Sequence, residues 1–147
     1  MTRTIAGVVL GYIATALLVF LLFSASYLAL GTDKVFLPGS YQVSFLWAAL
    51  SIVVSFAAAL VGGYVAASVS RGTRAPLVLA CVVLVLGILF ALPALGQPDP
   101  GPRAGDVGNF AAMTNARPPS WTLLLNPIIG ALGVLVGSRL RRTEARP

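Results

Sequence analysis

The chain has 147 residues, 58% of them hydrophobic and only 10% charged, with a formal net charge of +6. Soluble domains carry about 25% charged residues, and disordered chains need low hydrophobicity, so both classes are excluded. A disulfide-stapled secreted domain is excluded too, because Cys81 is the only cysteine. An integral membrane protein of one domain, residues 1–147, remains.

The first apolar block is Ile5–Leu30. Arg3 ahead of it and Ser24-Ala25-Ser26 within it give the outline of a signal peptide. The uninterrupted run from Ile5 to Phe23 exceeds the roughly 7–15 residues of such a region, so it reads as an uncleaved span. An outer loop, 31–40, follows; its apolar centre of Val35, Phe36 and Leu37 predicts a protruding hairpin sheltered by the rest of the outer surface.

The second block is Tyr41–Ser70, the third Pro76–Leu95 after an inner loop at 71–75, and the fourth Ser120–Leu140. Each reaches the roughly 20 residues that cross a bilayer core. Backbone groups in lipid must be satisfied internally, so these segments are helices. Gly31, Gly72 and Gly96 stand where left-handed helix ends are expected, Ser40 and Ser120 at N-caps, and Pro76 at a first helical position. Between the last two spans, the outer loop 96–119 opens on Pro98-Asp99-Pro100-Gly101-Pro102 and closes on Pro118-Pro119. Within it, Asp106–Ala116 is read as a short helix capped by Asp106, with Val107, Phe110 and Met113 or Thr114 on one face, lying on the outer membrane surface or on the bundle end.

Basic residues set the orientation. With both termini inside, Arg3, Arg71, Arg74, Arg139, Arg141, Arg142 and Arg146 are cytoplasmic, against Lys34, Arg103 and Arg117 outside. Residues 141–147 then form a basic inner tail. Arg71, Arg74, Arg139, Arg141 and Arg142 are expected to meet anionic lipid headgroups of the inner leaflet, which accounts for the charge without nucleic acid. Tyr27, Tyr41, Trp47 and Trp121 fall near the outer interface.

Small residues recur along every block at spacings of three and four. Gly7 and Gly11 lie in the first span, Ser51, Ser55 and Gly62 in the second, Gly87 in the third, and Asn126, Gly130, Gly133 and Gly137 in the fourth. In lipid, helices associate through close van der Waals approach, which small residues permit. A repeat averaging about 3.5 residues winds slowly to the left. The predicted fold is therefore all-α: an antiparallel, left-handed four-helix transmembrane bundle with both termini inside and a short helix on its outer surface.

Chemistry is sparse. There is no histidine, hence no His-based general base or His–metal site. Asp99, Asp106 and Asn109 share a loop without forming an ordered calcium motif. The spans lack ionisable side chains between their ends, which argues against ion-coupled transport. A four-span exporter of the small multidrug-resistance kind depends on a glutamate in its first span, and this first span has none. No catalytic, metal or cofactor site is therefore expected. The remaining polar candidates are Asn126, beside Pro127, with Gln42, Ser44 and Trp121, which lie at similar depth and outline an outward-facing pocket.

These features favour a non-catalytic interaction, assembly or stabilising component of a bacterial inner membrane, paired with another membrane protein or with itself. The alternative is a permeation or small-molecule-binding protein working through the Asn126 pocket.

Overall fold

A helix lets an apolar segment satisfy its own N–H and C=O groups, and all four apolar blocks adopt one. A computed structural model describes residues 1–72 and 74–144, apart from the side chains of Arg142 and Glu144. Its helices are α1 (Thr2–Leu30), α2 (Thr32–Val35), α3 (Phe45–Ser70), α4 (Arg74–Leu95), α5 (Asn109–Asn115) and α6 (Ser120–Glu144). Four of them, α1, α3, α4 and α6, are long and apolar enough to cross a membrane, as in a multi-pass membrane protein.

Several helix ends differ from the sequence reading, each for a local reason. The second long helix starts at Phe45 rather than Tyr41, because residues 36–43 turn back on themselves and Phe36 bridges antiparallel to Val43. Its cap is accordingly Ser44, not Ser40: the Ser44 hydroxyl accepts from the Trp47 amide at 3.2 Å. Gly31 has the expected positive φ of 73°, but at the end of α3 Arg71 takes the left-handed conformation (φ 53°) and Gly72 does not. Gly96 has no positive φ either. Pro76 is the third residue of α4, still within the first turn, where a missing N–H costs nothing. At α6 the Pro119 carbonyl receives the first amides, so Ser120 lies inside the helix. Gly108, not Asp106, precedes α5. The inner tail continues α6 as far as Glu144, and residues 145–147 lie outside the described part of the chain.

The long helices pair unequally. Contact is most extensive between α3 and α6, α1 lies along α3, α4 lies along α6, and α1 meets α4 over a shorter stretch. Glycine makes the tightest of these approaches. A Cβ on Gly7 would stand 2.8 Å from the Ala66 carbonyl oxygen, and one on Gly11 would stand 2.8 Å from that of Gly62. Between α3 and α6, a Cβ on Gly133 would meet the Phe56 carbonyl oxygen at 2.8 Å, and one on Gly137 would overlap the Leu60 backbone. On the other side of that contact, Gly63 has no room for a side chain against the backbone of Val134. The buried residues between these helices are correspondingly small: Ala59, Ala66, Ala80, Leu79 and Val134.

A second core caps the far end of the bundle, where the end of α1 and the start of α3 meet the loops. Tyr27, Val35, Phe36, Val43, Ala48 and Ala112 form it. Val35 and Phe36 are sheltered as expected, whereas Leu37 is exposed. The loops knit through backbone pairs: Arg117 donates to Tyr41 at 2.9 Å, Val43 donates to Arg117 at 3.2 Å, and Arg103 donates to Gly39 at 2.9 Å. The buried Arg103 side chain clasps both loops. Its guanidinium donates to the Ser40 and Gly105 carbonyls, lies 5.9 Å from the Phe36 ring centre and reaches Asp33 at 3.5 Å. We call this the loop end, and the opposite end, with Thr2, Arg71, Arg74 and Arg139, the terminal end.

Candidate functional site

Two walls build the most developed cavity. At the terminal end α1 and α4 touch: a Cβ on Gly7 would lie 3.2 Å from Ala75 Cβ, and Gly11 abuts Leu79. Toward the loop end both helices exchange small residues for large ones, Phe20, Phe23 and Tyr27 on α1 and Leu86 and Phe90 on α4. The helices part there, and a cavity of about 530 Å³ fills the wedge. Phe20 and Phe90 stand at its outer lips, both exposed, while Thr15, Val19 and Phe23 line its depth.

A roof closes the wedge at the loop end. Ala112 and Asn109 of α5 line it, with Val35 and Phe36 beside them. Asn109 Nδ2 donates to Ser24 Oγ at 3.0 Å, and the Tyr27 hydroxyl donates to the Val107 carbonyl, so the roof is tied to α1. Trp47 closes the α3 side, stacked obliquely on Phe23 at 5.5 Å and edge-on to Tyr27 at 6.3 Å. With the loop end covered and α3 behind, the free opening faces sideways, between α1 and α4.

A second cavity of about 300 Å³ lies toward α6 and shares the wall residues Thr15, Val19, Val83, Gly87 and Phe90 with the first. It reaches Ser55, Asn126, Pro127 and Gly130. Here Asn126 Nδ2 donates to Ser51 Oγ at 3.3 Å, and Asn126 Oδ1 is buried without a hydrogen-bond partner. Thr15 turns its hydroxyl back to the Gly11 carbonyl at 2.9 Å. The lining is otherwise almost wholly hydrocarbon and aromatic ring.

The four residues read from the sequence as one polar pocket do not meet. Gln42 is exposed and bridges to Arg117 through its backbone. Ser44 is committed to capping α3 and donates to the Lys34 carbonyl at 2.6 Å. Trp121 stands half exposed at the start of α6. Only Asn126 lines a cavity, and its polar neighbours are Ser51 and Ser55 of α3. On α5, Ala112 is buried and Phe110 is 80% exposed, so the buried side of the helix is not the one that carries Phe110.

Of the small residues singled out, Gly7, Gly11 and Gly62 lie between α1 and α3, where Gly62 abuts the Thr15 side chain. Gly133 and Gly137 lie between α3 and α6. Gly87 faces the Pro127 ring, and Gly130 faces Val83, both between α4 and α6. At the terminal end Arg71, Arg74 and Arg139 are exposed, and Arg141 Nε donates to Ser68 Oγ at 3.1 Å. The Arg142 side chain lies outside the described part.

The wedge itself has no signature in the sequence. Its walls are ordinary apolar residues of apolar spans, and only the run Phe20, Phe23, Tyr27 hinted at an aromatic face on α1. Among the described residues no group of three acidic or thiol side chains gathers. Comparison with models of known families, with curated proteins and with solved structures finds no match to this chain.

Proposed function

We propose that this chain is a membrane protein without catalysis of its own that holds a lipophilic molecule in the wedge between α1 and α4. One observation carries the reading: a roofed apolar cavity of about 530 Å³ whose opening faces sideways, where the lipid would be. The size lies in the range of small-molecule sites, roughly 300–1,000 Å³. An apolar cavity holds water poorly. An opening toward the bilayer therefore admits hydrocarbon.

The competing reading, an interaction or assembly component, drew its force from the glycine motifs. Gly7, Gly11, Gly62, Gly87, Gly130, Gly133 and Gly137 are already engaged within the chain, so they leave no small-residue seam for a partner. The wedge is the better guide.

The same proposal sets the protein in a bacterial inner membrane with both termini cytoplasmic. Support comes from the basic residues at the terminal end, which meet anionic headgroups, and from the Arg-over-Lys usage of the chain. The helices are then antiparallel and cross at the small left-handed angle that a repeat of about 3.5 residues favours. An export-dependent reporter fused after Glu144 should be inactive.

Trp47 lines the wedge and provides the test. In a Trp121→Phe background it is the sole tryptophan. A bromoalkane should quench its fluorescence saturably, and Val19→Phe with Leu86→Phe, which fill the wedge, should abolish that saturable part. Linear quenching equal in both proteins refutes the reading.

A further inference from the structure

We propose that the molecule held in the wedge is an un-ionised lipophile that carries an O–H or N–H group on its buried end, received by Asn126 Oδ1. This rests on the wedge reading and adds the chemistry of the occupant. The hydrogen bonds around Asn126 fix which way its amide faces. Ser51 Oγ donates its single proton to the Ala48 carbonyl at 2.7 Å, so toward Asn126 it can only accept. The amide must therefore present Nδ2 to Ser51 and turn Oδ1 away, and that oxygen is buried with no donor in reach.

Three other polar groups lining the cavities are spoken for, while the Ser55 hydroxyl also lines the smaller one. The Thr15 hydroxyl goes to Gly11, the Tyr27 hydroxyl to Val107, and the Asn109 amide to Ser24. What the smaller cavity offers is an unmet acceptor. Buried acceptors are costly to leave unpaired, and the five wall residues that the two cavities share bring the smaller one against the wedge. A carboxylate or phosphate, which brings only acceptors, would leave the Asn126 oxygen unmatched. A long-chain alcohol, amide or phenol fits: its body fills the apolar wedge and its donor ends at Asn126.

The test compares two probes of nearly equal shape, an alkanol brominated at its far end and the methyl ether of the same alkanol, which keeps the oxygen and loses the donor. Both are titrated by their mole fraction in proteoliposomes against Trp47 fluorescence in the Trp121→Phe protein. The alkanol should half-quench at a concentration lower than the ether by about two- to tenfold, the worth of one net hydrogen bond. Asn126→Leu and Asn126→Ala should each remove that preference while the ether still quenches, which shows that the wedge is intact. If both probes quench alike in the unsubstituted wedge, or the preference survives both substitutions, the inference is overturned and the wedge reading stands. If neither probe quenches saturably, the wedge reading falls and takes this inference with it.

Discussion

The two ends of the bundle are built from opposite materials. At the terminal end α1 and α4 present Gly7, Gly11, Ala75 and Leu79, and the helices come close enough that a methyl added to either glycine would press on the Ala75 or Leu79 side chain. At the loop end the same two helices present Phe20, Phe23, Tyr27, Leu86 and Phe90, and between them lies a cavity. On α1 the side chains facing α4 grow from glycine to aromatic along the helix, and the wedge opens where they do. Close-packed helices exclude ligands, and rings that prop them apart leave room for one. The α3–α6 pair is held instead by close backbone approach at Gly63 of α3 and at Gly133 and Gly137 of α6. That pair is the rigid spine, and the wedge hangs on it.

The contrast can be broken most severely at the spine. Gly137→Leu and Gly63→Leu drive a side chain into backbone that cannot rotate aside, and each should cost about 3 kcal/mol or more, leaving little folded protein in a detergent melt followed by circular dichroism. Arg103→Ala comes next. It strips the loop layer of a buried clasp with carbonyl acceptors on both loops and should lower stability by about 1–3 kcal/mol, with protease cleavage appearing first in residues 96–108. Gly130→Ala should cost no more than about 1 kcal/mol, because the obstacle at 3.0 Å is the movable end of Val83. Smallest of all is Asp33→Asn. The Asp33 side chain is 91% exposed, so its ion pair with Arg103 should contribute less than about 0.5 kcal/mol, measured as an unchanged melting temperature. If Asp33→Asn proved as damaging as Arg103→Ala, the clasp would be held by charge rather than by carbonyl acceptors.

How much of this could be read from the chain depends on how far each cause reaches. Span count follows from the length of apolar runs, a local property, and four long apolar helices are present. The glycine positions were visible because a repeat of three and four marks one face. Which helix that face meets was not visible, since periodicity names a side and not a neighbour. The start of α3 was misplaced because Tyr41, Gln42 and Val43 extend the apolar block, whereas their pairing partner, Arg117, lies far along the sequence. On α5 the periodicity named one apolar face but not what it meets: Phe110 is exposed and small Ala112 is the buried residue. Asn126 stood out as a polar residue in an apolar span. Its orphaned oxygen did not, because that depends on where Ser51 sends a single proton.

The tie between roof and wall has a mechanical side. Asn109 is fastened to Ser24 and Val107 to Tyr27, both on α1, so α1 and its roof are coupled into one lever. Its fulcrum is the contact of Gly11 with Gly62 and Leu79. From Gly11 to Tyr27 the lever arm is about 24 Å, at about 1.5 Å per residue, so each degree of tilt shifts the Tyr27 end by about 0.4 Å. At Phe20, about 13.5 Å from the pivot, a tilt of a few degrees would change the gap to Phe90 by about 1 Å. The contact that makes one end tight is thereby the pivot that sets how wide the other end stands.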